Sequence, residues 1–493
     1  MRRLAAALAL GAASALLVSG CSASREGEVE LAEPDVGIQL FQLPWTSIAE
    51  ECEATLGPNG FAWVLTSPPQ EHVVRDEWWA SYQPVSYRLE SRLGTRDEFA
   101  DMVTRCDGAG VDVIADAVIN HMTGLDAAGT GWAGTPYEHY DYPGLYAFDD
   151  FHHCGLTPGD DIADYDSREQ VQTCELVNLA DLDTSRPDVR DTITAYLDDL
   201  LSLGVAGFRI DAAKHMASED VAAIVAELPE GTRVISEVIR GGGEPVQPEE
   251  YAGFGEVFEF TYARDLGPQL EAGRIYDPEL SSQRPAHVPS ESAAVFIDNH
   301  DTERGEANVT YLDGPLYLIA NVLMLADDYG TPVVYSGYAF DDRDAGAPAD
   351  AGGSVSAASC EGVSRLPEQL EPGARTCVQA WTPVSVRPAQ VSWMSRCSTR
   401  SSTPAISPAT VRCSGCAANP WKAVPSYATT SLSWRVCASL GANVGSSSES
   451  WLTPVRCAPW ARCRRDAGPA SRSARNHPDG RGSAARSRRT ACA

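Results

Sequence analysis

Ser185-Arg-Pro-Asp-Val-Arg-Asp-Thr-Ile-Thr-Ala-Tyr-Leu-Asp-Asp-Leu-Leu-Ser-Leu-Gly-Val-Ala-Gly-Phe-Arg-Ile-Asp211 holds one complete structural unit. Ser185 and Pro187 suit a helix start, where a short polar side chain can cap and a missing proline N–H costs nothing. Val189, Ile193, Leu197 and Leu201 then recur every four residues, the spacing of one buried helical face. Gly204 stops the helix, since glycine takes the left-handed conformation without steric cost. Val205–Ile210 follows as an apolar strand and runs directly into Asp211. A strand apolar along nearly its whole length is buried on both faces, as in parallel sheets covered by helices.

The unit recurs on both sides. Thr95-Arg-Asp-Glu98 is a capping box that opens a helix with Phe99, Met102, Val103 and Cys106 on one face. Gly108 and Gly110 stop it, and the strand Val111–Val118 ends at Asn120-His121. A helix near Ser218–Leu228 leads to Arg233–Ser236 and Glu237. Ala293–Ile297 leads to Asp298-Asn-His-Asp301, and a helix near Leu316–Ala326 leads to Pro332–Tyr335. Gly37–Phe41, Phe61–Leu65 and Phe254–Phe258 complete eight strands. Eight such units predict an α/β fold, a (β/α)8 TIM barrel. A doubly wound open sheet is the other parallel arrangement, but no glycine-rich phosphate loop follows any strand. His121 to Leu182 is too long for a structureless connection and predicts an inserted subdomain after the third strand.

Polar residues collect where such a barrel keeps its active site, at the C-terminal ends of strands. They are Asp116, Asn120 and His121; Arg209, Asp211, Lys214 and His215; Glu237; and His300 and Asp301. Any one of them alone reads as a helix cap or a surface charge. Carboxylates converging from separate strand ends beside histidines and an arginine suit glycoside hydrolysis, where one carboxyl attacks the sugar and another protonates the leaving oxygen.

Asp116-Ala-Val-Ile-Asn-His121, Gly207-Phe-Arg-Ile-Asp-Ala-Ala-Lys-His215, Glu237-Val-Ile and Phe296-Ile-Asp-Asn-His-Asp301 resemble the four signature regions of the α-amylases, glycoside hydrolase family 13. Ser67-Pro-Pro-Gln, Trp78-Trp79, Tyr82-Gln-Pro-Val-Ser-Tyr87 and Asp97–Cys106 resemble its animal and actinobacterial branch, and the resemblance covers residues 36–384. It implies a secreted endo-hydrolase of α-1,4-glucosidic bonds in starch, glycogen and malto-oligosaccharides, acting as a monomer with retention. Asp211 would be the nucleophile, kept ionised by Arg209; Glu237 the general acid/base; and Asp301 the stabiliser of the distorted sugar. His121 and His300 would hold hydroxyls of that sugar, Tyr82, Trp78 and Trp79 would stack on rings, and Lys214 and His215 would face the leaving group. A transglycosylase of the same family, a non-catalytic glucan-binding surface protein and an inactive remnant are the alternatives.

The resemblance also implies Ca2+, held by the side chains of Asn120 and Asp181 and the backbone carbonyls of Gln172 and His215. All-oxygen ligation suits that hard cation, whereas His121, His152, His153 and His215 fit no zinc spacing. Chloride, bound by some members, is not expected: Arg209 and Asn299 match two of its ligands, but Tyr329–Tyr338 contains no Lys or Arg. Counting alone leaves the cysteine connectivity open; the family pattern selects Cys52–Cys106 and Cys154–Cys174, with Cys360–Cys377 added from proximity.

The 493 residues carry 38 Lys/Arg against 68 Asp/Glu, net −30, but the charge is split. From Ser385 onward there are 16 basic and 3 acidic residues, so residues 1–384 are strongly acidic and the tail is basic. The acidic part excludes nucleic acid as a partner, because phosphate binding needs a basic surface. Arg2-Arg3, the apolar run Leu4–Val18 and Ser19-Gly20-Cys21 read as a signal peptide over 1–20. Val18-Ser-Gly-Cys21 resembles a lipobox, which implies export and a lipid anchor at Cys21 as the one membrane contact. The expected order is barrel 36–120, calcium-binding insertion 121–182, barrel 183–384 and a Ser/Arg/Cys-rich tail 385–493. The tail lacks the alternation of the family's C-terminal β-sandwich, so a reading-frame shift near codons 383–387 or disorder is expected there.

Overall fold

A computed structural model describes residues 35–273, 286–305, 307 and 309–357. Eight strands form a closed, all-parallel barrel: β1 Gly37–Leu40, β2 Trp63–Thr66, β3 Asp112–Ala117, β4 Gly207–Ile210, β5 Arg233–Ser236, β6 Glu256–Phe258, β7 Ala293–Val295 and β8 Thr331–Ser336. Each pairs with its neighbours in chain order, and β8 closes against β1. The observed strands match the expected eight and most are shorter, since the ladder at β6 pairs only two residues on each side. The signal peptide, Cys21, Cys360, Cys377 and the tail 385–493 lie outside the described residues.

Among the described residues, the α-helices of more than one turn are α1 Trp45–Glu51, α2 Arg96–Gly108, α3 Arg168–Thr173, α4 Pro187–Ser202, α5 Ser218–Glu227, α6 Phe260–Glu271 and α7 Pro315–Ala326. The capping box of α2 is formed: Thr95 N donates to Glu98 Oε2 at 2.8 Å, and Glu98 N donates to Thr95 Oγ1 at 3.3 Å. In α4, Val189, Ile193 and Leu197 are buried as their spacing requires. Arg186 rather than Ser185 takes its N-cap position, because Ser185 Oγ is engaged with Asp183. Among the described residues no helix is long and apolar enough to cross a membrane.

The barrel interior is filled, so it is a core and not a pore. Trp63, Leu65, Ile114, Ile235, Phe258, Ala294, Phe296 and Val333 pack there. The Arg233 guanidinium lies 4.7 Å from the centre of the Trp63 ring while it forks onto Glu256 at 2.7 and 2.9 Å. Gly37 has to be glycine: a Cβ there would stand 2.1 Å from the indole.

Between β3 and β4 the chain adds a two-stranded ribbon, Gly129–Thr130 with Pro136–Tyr137, the helix α3 and a cluster of Tyr137, Tyr142, Tyr146 and Phe151. Asn120–Leu182 and Met122–Ala180 backbone bonds at 2.9 Å tie its two ends together. Cys154–Cys174 closes it internally, and Cys52–Cys106 ties the segment after α1 to α2. In the chain-entropy view each bridge contributes roughly 3–4 kcal/mol by restricting the unfolded chain.

Gly37→Ala is predicted to destabilise the barrel by about 1–3 kcal/mol through overpacking against Trp63. Urea unfolding followed by far-ultraviolet circular dichroism measures it; an unchanged midpoint would mean that the indole moves aside freely.

Candidate active site

The register of β3 on β4 sets Asp116 beside Arg209. Side chains two apart on a strand share a face, so Asp211 continues the same row. The Arg209 guanidinium is buried. Its Nη1 donates to Asp116 Oδ1 at 2.6 Å and to Asp211 Oδ1 at 2.7 Å, and its Nη2 lies 2.8 Å from Glu237 Oε1. Three strand ends therefore meet on one cation.

Asp301, from the turn after β7, is the fourth acid. Its side chain keeps 37% of its surface open and its Oδ2 lies 3.2 Å from His300 Nε2. Burial pushes all four carboxyls up, and Arg209 pulls each back. Asp211 raises Glu237 further by like charge, whereas Asp211 has Arg209 as its chief compensating partner. Asp211 and Glu237 thus share one compensating cation, while burial and like charge resist ionising both at once. Ala212, directly after Asp211, sits in the left-handed region at φ 49° and donates its N–H to Glu237 Oε2 at 2.9 Å.

Of the remaining predicted residues, His300, Tyr82 and His121 make contacts around this cluster that their sequence did not reveal. The His300 ring is stacked between Phe41 at 4.8 Å and Tyr82 at 4.9 Å, and Gln39 Nε2 donates to its Nδ1 at 3.0 Å. Tyr82 is buried and donates its hydroxyl to Asp116 Oδ2 at 2.9 Å. His121 donates through Nε2 to the Tyr82 carbonyl at 3.0 Å and accepts from Asn120 Nδ2 at 3.2 Å, so both ring nitrogens serve the wall. Burial drives His121 and His215 down to about 4, which leaves them neutral at pH 7. Trp78 and Trp79 are half-buried on a short 3-10 turn, Trp78–Tyr82. Lys214 is engaged with Glu244 and donates to the Ile239 carbonyl at 2.9 Å. Sequence reading noticed Asp116 without a role and missed Gln39 and Glu244 altogether.

The expected calcium ligands lie on segments bonded to one another. Asn120 Nδ2 donates to Asp181 Oδ1 at 3.3 Å, and His215 Nδ1 donates to the Val171 carbonyl, next to Gln172, at 3.0 Å. Asn120 Oδ1 is buried with no hydrogen-bond partner, and the buried Asp181 carboxyl is pushed up to about 7 by desolvation. An orphaned oxygen beside a buried carboxyl fits a hard cation. Among the described residues no group of three or more His, Cys, Asp or Glu side chains is arranged as a metal site, so carbonyl oxygens would have to complete this one.

Fold and site together define a (β/α)8 barrel with a carboxylate cluster at its C-terminal mouth. The family model "Alpha amylase, catalytic domain" matches residues 66–259. The alpha-amylase of Streptomyces violaceus is 45% identical over 385 residues, covering 78% of this chain and 64% of that protein. The alpha-amylase-related protein of Drosophila sechellia is 40% identical over 363 residues, covering 70% of each. The crystal structure of wild-type alpha-amylase I from Eisenia fetida superposes with a TM-score of 0.65 at 32% identity, covering 76% of this chain and 79% of that one. The chain belongs to the alpha-amylase family. It spans 64% and 61% of the length of its Streptomyces violaceus and Thermomonospora curvata relatives.

Ala212→Gly is predicted to keep stability within about 1 kcal/mol, while Ala212→Val, β-branched in a left-handed position, loses more than that. Thermal melts of both variants decide it; equal melts would show that this backbone turn is not constrained.

Proposed function

We propose that the protein hydrolyses α-1,4-glucosidic bonds within starch and related glucans, with retention at the anomeric carbon. The observation that carries the reading is the single guanidinium of Arg209 in contact with both Asp211 and Glu237. It brings the two carboxyls close together, as a retaining enzyme needs at about 5 Å. Asp211 attacks the anomeric carbon while Glu237 gives its proton to the glycosidic oxygen, and the shortened glucan leaves as an alcohol. Glu237, now ionised, takes a proton from water, which attacks the same carbon and frees Asp211. Asp301 and His300 hold the donor sugar. Support for the substrate class comes from the family and from an Eisenia fetida alpha-amylase I structure solved with maltohexaose, 31% identical and with a TM-score of 0.64.

Asp211→Asn should lower soluble-starch hydrolysis by roughly four orders of magnitude or more, as loss of a nucleophile does, while maltoheptaose binding by calorimetry persists. Residual hydrolysis above about 1% of the parent rate would remove Asp211 from the nucleophile role.

Ca2+ would be held by Asn120, Asp181 and the carbonyls of Gln172 and His215, joining the 121–182 segment to β3 and β4. Its chemistry there is structural: a divalent charge that offsets the buried Asp181 carboxylate and fixes the segment against the barrel. Chelation with EDTA should lower the melting midpoint by several degrees, as removal of a ligand of the native state does, and Asp181→Asn should abolish that shift. An EDTA shift that survives in Asp181→Asn would move the ion elsewhere. Turnover is independent of chloride in this reading: Asn299 Oδ1 accepts from the Asp301 and Thr302 backbone N–H groups, and β8 contributes buried valines. Export, with or without a lipid at Cys21, agrees with two disulfides in one acidic domain.

A further inference from the structure

Arg304 lies outside the carboxylate cluster, and no step above uses it. Its side chain is 2% exposed and pairs with the equally buried Glu303, to which Tyr335 donates at 2.6 Å. Such a cation is costly to bury without return, and its surroundings show where it acts. The guanidinium lies 5.3 Å from the Phe41 ring centre, 5.2 Å from Trp78, 5.4 Å from Tyr338 and 4.3 Å from Phe340. Its Nη1 donates to the His300 carbonyl at 2.9 Å. Its Nε donates to the Arg343 carbonyl at 3.1 Å, and the Trp78 indole Nε1 donates to the same oxygen at 3.0 Å.

Trp78 is held from the other side as well. Its backbone N–H donates to the Asp344 carbonyl at 3.2 Å, and the turn before it is gripped by Arg92 Nη1 at the Arg75, Asp76 and Glu77 carbonyls, 3.2–3.4 Å away. The Phe41 ring beneath Arg304 stacks on His300, which stacks on Tyr82, whose ring centre lies 5.9 Å from Arg209. Two arginines therefore bracket a column of three rings. Both also favour the neutral His300 imidazole, after burial, so that Nδ1 accepts from Gln39 while Nε2 stands 3.2 Å from Asp301 Oδ2.

We propose that Arg304 is a positioning residue for glucan binding: through the shared Arg343 carbonyl and the Phe41–His300 stack it fixes Trp78 and His300 as one rigid sugar-holding wall. This rests on the glucan-hydrolase reading and adds a residue that touches no substrate. Cation–π packing and a planar fork of donors are what arginine supplies here and lysine supplies only in part.

The test uses the full chain with Ca2+ present and maltoheptaose as substrate. Arg304→Lys is compared with the pair Glu303→Gln/Arg304→Met, which leaves no buried charge unpaired. For the double variant KM should rise roughly tenfold with kcat within about threefold, the pattern of lost binding common to ground and transition states. Arg304→Lys should recover part of that loss. Indole emission should shift in the double variant, and the shift should vanish when Trp78→Phe is added. A folded double variant with unchanged KM, a fall in kcat alone, or an emission shift that persists without Trp78 would each overturn the proposal. If the parent chain does not cleave maltoheptaose, the hydrolase reading fails, and the emission comparison still decides whether Arg304 positions Trp78.

Discussion

A single buried guanidinium organises the mouth of the barrel. Taking Arg209 out of water costs several kcal/mol unless opposite charges surround it, and the same holds for the buried carboxyls of Asp116, Asp211 and Glu237, with the more open Asp301 at their edge. Neither set could be buried without the other. The barrel makes the meeting automatic: β3 and β4 are adjacent, inward positions alternate, and strand ends from around the ring face one point. One cation shared among four acids also makes ionising all of them costly. Burial and like charge thus favour keeping a proton in the cluster, and a retaining glycosidase needs one carboxyl charged and one not.

The segment 121–182 depends on the same strand ends. Its entry and exit pair with each other directly after Asn120, and His215, four residues past the nucleophile candidate, bonds to the carbonyl of Val171 in α3. Movement of that segment would pull on the turn that carries Ala212, whose N–H is bonded to Glu237. The buried Asn120 oxygen and the Asp181 carboxyl lie at this junction, where a divalent cation would couple the insertion to the catalytic turn.

The barrel was legible in the sequence because its units repeat a local pattern, a helix with one apolar face leading into a short, nearly continuous apolar strand, with a glycine stop between them in the clearest cases. The acids were legible for a related reason, since the ends of parallel strands face one mouth. What escaped is what depends on side chains from distant strands. Gln39 on β1 reaches His300 after β7, and Arg304 reaches Phe41 and Trp78, more than two hundred residues away in the chain. No spacing rule encodes such a meeting. Tyr82 and His121 show the same limit: motifs marked them for the site, but only the structure shows Tyr82 bonded to Asp116 and His121 bonded to the Tyr82 backbone.

The two sides of the mouth are built from different materials. Around His300 the wall is made of rings, Phe41, Tyr82 and Trp78, each with two rotatable side-chain bonds and packed between cations, so little freedom remains to be lost when a sugar binds. Around Lys214 it is made of a largely buried ion pair: an ammonium engaged with Glu244 and the Ile239 carbonyl, lying 5.4 Å from the ring centre of Tyr165, which is 38% exposed. A two-step displacement has unequal needs on its two sides. In the mechanism proposed above, the donor sugar would have to stay in register while bonded to Asp211 and then released from it, whereas the leaving glucan would have to depart between the steps. A stacked, rotamer-poor wall suits the first task, and a side whose outer ring, Tyr165, stands open to solvent suits the second.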